Sequence, residues 1–197
     1  PMANQNGGGI QKTGLSEFKL RLTGPKREGQ KRPPMLSVQV IKNNPRIDVF
    51  TNDDQDKKDF GRISAPMDGI TFFTFLATLD KAIEGEKETV YKIANKVGAP
   101  NNQKTISHTL VGKDAEGRVF MSVTAQDRPK IKFTFLPSDW HNFAFMDGTP
   151  VGEAELSQMV ARGWSKLMTE LVANVMDTHY IEPEPRNQNG GGNRGGG

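Results

Sequence analysis

Basic side chains recur along stretches that alternate polar with apolar residues. Lys19 and Arg21 stand between Phe18, Leu20 and Leu22; Arg46 precedes Ile47 to Thr51; Arg118 precedes Val119 to Ala125; Lys130 and Lys132 flank Ile131. Lys26, Arg27, Lys31, Arg32, Lys42 and Arg128 lie in or beside the segments between. Period-two alternation sends one set of side chains to a buried sheet face and the other to water, so these cations are expected to line an exposed face. Phe50 next to Val49, and Phe120 between Val119 and Met121, share that solvent-side parity, although core packing is the competing reading for each ring. Cations interleaved with rings can neutralise phosphates with counterion release. They can also stack bases, at about 1–3 kcal/mol each, provided the bases are already unpaired. The expected ligand is therefore a single strand rather than a duplex.

Charge distribution points the same way. Net charge is only +3. Residues 12–46 nevertheless carry a balance of +7, residues 47–90 one of −5, residues 91–132 one of +5, and the remainder −4. In each half the strand-bearing part is basic and the helix-bearing part acidic, a segregation that suits a polyanion lying across sheets.

The elements that must position these residues are legible from pattern. Strands are expected near 18–22, 36–41, 47–51 and 62–67, then near 90–94, 105–111, 118–125 and 130–136, with a further candidate at 142–146. Asn43-Asn44-Pro45 reads as a turn, since Pro fixes φ and Asn tolerates left-handed geometry. Asp114-Ala115-Glu116-Gly117 reads as a hairpin loop. Asp68 is placed to cap a helix over 69–83. A second helix over 153–177 shows Leu156, Met159, Val160, Trp164, Leu167, Met168, Leu171, Val172, Val175 and Met176 at three- and four-residue spacing, with Thr149 as its cap and Pro150 at its first position. Its apolar stripe is broad, and a second copy of the chain is the expected partner for it, so a homo-oligomer through the helix 153–177 is anticipated, with packing inside the chain's own core as the competing reading.

Three short matches suggest an internal repeat: Leu36-Ser37-Val38 with Met121-Ser122-Val123, Pro45 to Thr51 with Pro129 to Phe135, and Ala65-Pro66-Met67-Asp68-Gly69 with Ala144 to Gly148, at offsets of 85, 84 and 79 residues. The fold class expected is α+β, two pseudo-repeated units of antiparallel strands followed by a helix, ββββα-ββββα. One nucleic-acid-binding domain would span 15–178, made of units 15–87 and 88–178, between Gly-rich tails at 1–14 and 179–197 that cannot offset their ordering entropy. Pro1 before Met2 reads as a cloning scar, and no signal peptide follows.

Other chemistry finds no support. The chain has no cysteine, which removes thiolate zinc sites, iron–sulfur clusters and cysteine nucleophiles. His108, His141 and His179 are scattered without a ligand at i+4. Asp53, Asp54, Asp56 and Asp59 lack the glycine and the terminal glutamate of a calcium loop, and Lys57 and Lys58 intervene. Gly24 to Arg32 fails as a phosphate loop, because Arg32 stands where Ser or Thr is needed. No cofactor, no metal and no catalytic site is expected. No stretch approaches the roughly 20 apolar residues of a membrane span, and a cytoplasmic location is anticipated, that of a bacterial host if the chain is viral.

The order of basic strands and helices, with Arg118-Val119-Phe120-Met121-Ser122-Val123 leading through Pro129-Lys130-Ile131 to the long closing helix, resembles the Whirly fold of single-stranded DNA-binding proteins. The chain also looks like the replication single-strand binders of bacterial viruses. The resemblance implies two splayed four-stranded sheets, helices at the hub, assembly of several subunits, and a single strand running along the sheets in replication or recombination. Lys19-Leu20-Arg21-Leu22-Thr23 is the nearest analogue of the family's lysine-glycine-lysine strand. RNA binding or annealing, and a protein-assembly role without nucleic acid, are the alternatives.

Overall fold

A computed structural model describes Leu15 and residues 20–182. Phe18 and Lys19 of the first expected strand, the tail 1–14 and residues 183–197 of the second tail lie outside the described residues. Eight strands and two helices follow in order: β1 (Leu22–Thr23), β2 (Met35–Ile41), β3 (Asn44–Phe50), β4 (Arg62–Pro66), α1 (Gly69–Glu84), β5 (Val90–Val97), β6 (Lys104–Lys113), β7 (Val119–Thr124), β8 (Phe133–Thr134) and α2 (Glu153–Thr178). They form two antiparallel four-stranded meanders, β1-β2-β3-β4 and β5-β6-β7-β8, each followed by a helix. The class is α+β.

Period-two alternation sets the register. In the first sheet Leu36 pairs with Val49 and Val49 with Ile63, all buried, while their neighbours Met35, Phe50 and Arg62 make the adjacent row on the outer face. In the second, Val111, Met121 and Phe133 form the inner row, and Gly112, Phe120 and Thr134 the outer one. The helices lie on the inner faces and interleave the halves: α1 packs on β3 but also on β5 and β6, and α2 on β7 and β2. One continuous core results, centred on Phe72, Phe75, Phe133, Phe135, Met121 and Met168.

Local chemistry explains the boundaries. Asp68 Oδ1 accepts from the Thr71 amide at 2.7 Å, the cap read from sequence. The β2–β3 turn falls one residue earlier than anticipated. Lys42 and Asn43 both have positive φ, 47° and 64°, as a two-residue primed turn demands, and Pro45 lies within β3 opposite Val40. Gly117 at φ 84° closes the β6–β7 hairpin.

Three expectations need correction. Residues 142–146 make no strand, only a bridge between Ala144 and Pro150. Thr149 does not cap α2; Gly152 stands at that position without a side-chain bond, because the Thr149 carbonyl accepts from Phe145 in a separate hairpin. The repeated letters also occupy non-equivalent places. Leu36 to Val38 lie on the second strand of their sheet and Met121 to Val123 on the third, while Asp68-Gly69 starts a helix and Asp147-Gly148 sits in a hairpin tip.

Candidate nucleic-acid interface

Three loops gather at one end of the molecule: 24–34 between β1 and β2, 51–61 between β3 and β4, and 125–132 between β7 and β8. Polar bonds stitch them together. Asn52 Nδ2 donates to the Pro33 carbonyl at 2.6 Å, Gln30 Nε2 to the Thr51 carbonyl at 3.3 Å, and Arg27 Nη2 to the Lys130 carbonyl at 3.4 Å. At Gly24 a side chain would stand 2.9 Å from Ile131 Cγ2, so only glycine lets β1 approach the second sheet this closely.

The 51–61 loop is the unusual one. Its ends close through the Thr51 amide and the Gly61 carbonyl at 2.8 Å. Asp59, Phe60 and Gly61 then take left-handed φ values of 49°, 55° and 73° in succession. A left-handed phenylalanine costs roughly 1–2 kcal/mol and persists only where its surroundings impose it. The imposing group is Arg128, from the opposite sheet. Its Nη2 donates to Asp56 Oδ2 at 2.8 Å, to the Lys58 carbonyl at 3.0 Å and to the Arg62 carbonyl at 3.1 Å. Its Nε stands 2.7 Å from Asp56 Oδ1, with side chains only 3% and 5% exposed. Burial would raise the pKa of Asp56, but the bonds from Arg128 and Thr51 outweigh it and hold the carboxyl below its usual 3.8. With this anchor in place Phe60 is thrust wholly into solvent, at 101% exposure.

Hollows flank the loop on both sides. One, of about 500 Å³, is lined by Lys31, Arg32, Lys57 and Phe60 together with Asp53, Asp54 and Asp56. The other, about 840 Å³, separates β4 from the second sheet; Lys57, Lys58, Arg62 and Lys104 line it together with Asp56, Asp59 and Asp127. Lys26, Lys31, Arg32, Lys57, Arg62, Lys104 and Lys130 make no ion pair among the described residues. Cations without a carboxylate partner beside a bare ring are what a phosphate chain with unstacked bases needs.

The residues anticipated from sequence divide accordingly. Lys26, Arg27, Lys31, Arg32 and Lys130 come together at this end, with Arg27 3.6 Å from Asp53. Phe50 is half-buried on the outer face beside Arg62. Arg21 precedes β1 and is partly buried. Arg46 shares that outer face but is paired with Asp48 at 2.9 Å. Lys42 is exposed in the turn at the far end of β2.

Arg118, Lys132 and Phe120 form a separate cluster on the outer side of the second sheet. Arg118 Nε meets Asp114 Oδ2 at 3.0 Å and Nη2 meets Glu116 at 3.0 Å, and Lys132 Nζ lies 3.4 Å from Asp114 and 4.8 Å from the Phe120 ring centre. The Asp114 hydrogen bond raises the Arg118 pKa. Its charge is spoken for, and Lys132 covers a ring only 8% exposed, so this group is poorly placed to meet a strand. Arg128 is corrected outright from ligand contact to loop anchor, since its guanidinium is enclosed. Phe60, Lys57, Lys58, Arg62 and Lys104 were not anticipated. The adjacency Lys57-Lys58-Asp59-Phe60 was the available signal, masked by the four aspartates around it.

No family model, curated protein or solved structure matches this chain. The functional reading therefore stands on the site and on the arrangement of its elements.

Proposed function

We propose that this chain is a sequence-nonspecific single-stranded DNA-binding protein, without catalysis, that protects or presents single strands in replication or recombination. The observation that carries the reading is Phe60, fully exposed at the tip of the loop that Arg128 anchors and at the edge of a hollow that it shares with Lys31, Arg32 and Lys57. A strand would run from Lys26, Lys31 and Arg32 across the Phe60 ridge toward Arg62 and Lys104, its phosphates neutralised and one base stacked on the ring. Two four-stranded antiparallel sheets, each followed by a helix, also support a Whirly-like fold and a doubled unit, although the path differs from the one that resemblance implies. It crosses the loop end and the cleft, not the outer side of the second sheet. Assembly belongs to the same reading, since α2 leaves Leu156, Val160 and Leu171 only half-buried and Leu167 exposed.

The test is a titration of labelled oligo(dT), oligo(rU) and duplex at two salt concentrations. Tight, salt-sensitive binding of oligo(dT) with weaker duplex binding supports the proposal. Preference for oligo(rU) would make the ligand RNA, and no binding at low salt would leave a protein-assembly role.

A further inference from the structure

Between β8 and α2 the chain leaves the body. Every residue from Ser138 to Pro150 is exposed, Trp140 at 89% and Met146 at 105%, with Phe143 and Phe145 also open to solvent. The segment is nonetheless ordered. Phe145 donates its amide to the Thr149 carbonyl at 2.8 Å, Val151 to the Phe143 carbonyl at 3.1 Å, and Gly148 to the Phe145 carbonyl at 2.9 Å. Asp147 Oδ1 accepts from the Thr149 amide. A formed hairpin with four large apolar side chains in water needs a surface to cover them.

The same chain offers one. On α2, Leu156, Met159, Val160, Leu167 and Leu171 fall on a single flank beside the buried stripe, and Met159 and Leu167 are 49% and 39% exposed. Gly163 lies in the middle of that flank, and a side chain there would meet nothing within 4 Å. Glycine is a poor residue inside a helix, and nothing within one subunit calls for it. It suits a place where another backbone must come close.

We propose that residues 138–151 form an exchange arm whose Trp140, Phe143, Phe145 and Met146 seat on the α2 flank of a second copy of this chain. The arm carries Asp139 and Asp147 and no lysine or arginine, a charge balance that favours an apolar partner over a polyanion. Its four side chains expose about 600 Å². Two reciprocal arms with the surfaces they cover come to about 2,000 Å², enough for a stable specific interface. Because arm and flank are different patches, exchange closes as a symmetric pair only when each copy both gives and receives. The inference rests on self-assembly and is independent of nucleic-acid binding.

The absence of cysteine makes the test direct. Met146→Cys and Leu167→Cys are prepared as separate full-length variants, mixed without nucleic acid and treated with a short bismaleimide. Cross-linked dimer from the mixture, at least about fivefold above either variant alone, is the expected result. Light scattering should show more than one chain for the parent and one chain for Trp140→Asp/Phe145→Asp, with an unchanged far-UV spectrum. A monomeric parent, efficient linkage of Leu167→Cys to itself, or linkage inside one chain carrying both cysteines overturns the proposal.

Discussion

Replacing Arg128 by alanine separates anchoring from ligand contact. The guanidinium makes close contacts to the Asp56 carboxylate on two sides and satisfies the carbonyls of Lys58 and Arg62. Its removal leaves Asp56, 5% exposed, with Thr51 Oγ1 as its remaining side-chain donor at 2.8 Å, and takes a donor from each of two carbonyls. Breaking a buried pair from one side costs about 3–5 kcal/mol. For a domain of this size that lowers Tm by about 10 °C. Arg128→Lys keeps the charge but not the fork, and should fall between. Adding Asp56→Ala to Arg128→Ala should cost less than the two losses together, because the stranded carboxylate is gone. Thermal melts of the four proteins, with oligo(dT) binding measured against salt, give the answer. A Tm within about 1 °C of the parent, combined with a salt slope reduced by about one phosphate, would make Arg128 a ligand contact and refute the anchoring argument.

Phe60→Ala should weaken oligo(dT) binding by about 1–3 kcal/mol and leave Tm unchanged, since the side chain is fully exposed; equal affinity in a fluorescence titration removes the ring from the path. Lys31→Glu with Arg32→Glu should flatten the salt dependence by about 0.7 per lost phosphate contact on a single strand, whereas Lys132→Gln should not, its charge being engaged by Asp114; the slopes of log K against log salt decide. Acid should act through Asp56 and Asp114. Burial would raise both, yet hydrogen bonds from Arg128 and Thr51 in one case and Arg118 in the other bring each below 3.8. A depressed folded-state pKa contributes stability that is complete well above 3.8 and is lost as pH falls through the folded value. Denaturant midpoints should therefore hold steady from neutral pH to about 5 and drop below about 4, less steeply in Asp56→Asn.

What pattern could reveal was local. The Asp68 cap and the Asp114–Gly117 hairpin depend on residues within a turn of one another, and the structure has both; of the α2 stripe it buries Trp164, Met168, Val172 and Val175, while Leu156, Val160, Leu167 and Leu171 lie on the flank beside them. Arg128 was misjudged because its partner Asp56 lies 72 positions away, and no spacing rule connects them. Phe60 escaped notice because its exposure follows from backbone angles that the anchor enforces. Pro45 misled in a different manner, since a residue that suits turns is also tolerated at the start of a strand. The outward parity of Phe50 and Phe120 was read as exposure, yet Phe120 lies under Lys132. Parity names a face; it does not say what else lies on it.

The crossing of the helices bears on whether the molecule can be divided. Phe72, Phe75 and Leu79 belong to the first half by chain order, yet their helix leans on β5 and β6 of the second. Severing the chain between Gly85 and Thr89 would strip each fragment of part of its own interior. Neither piece should hold a shape in isolation, while the two mixed together should reconstitute it, so the natural unit of inheritance here is the whole span rather than either half.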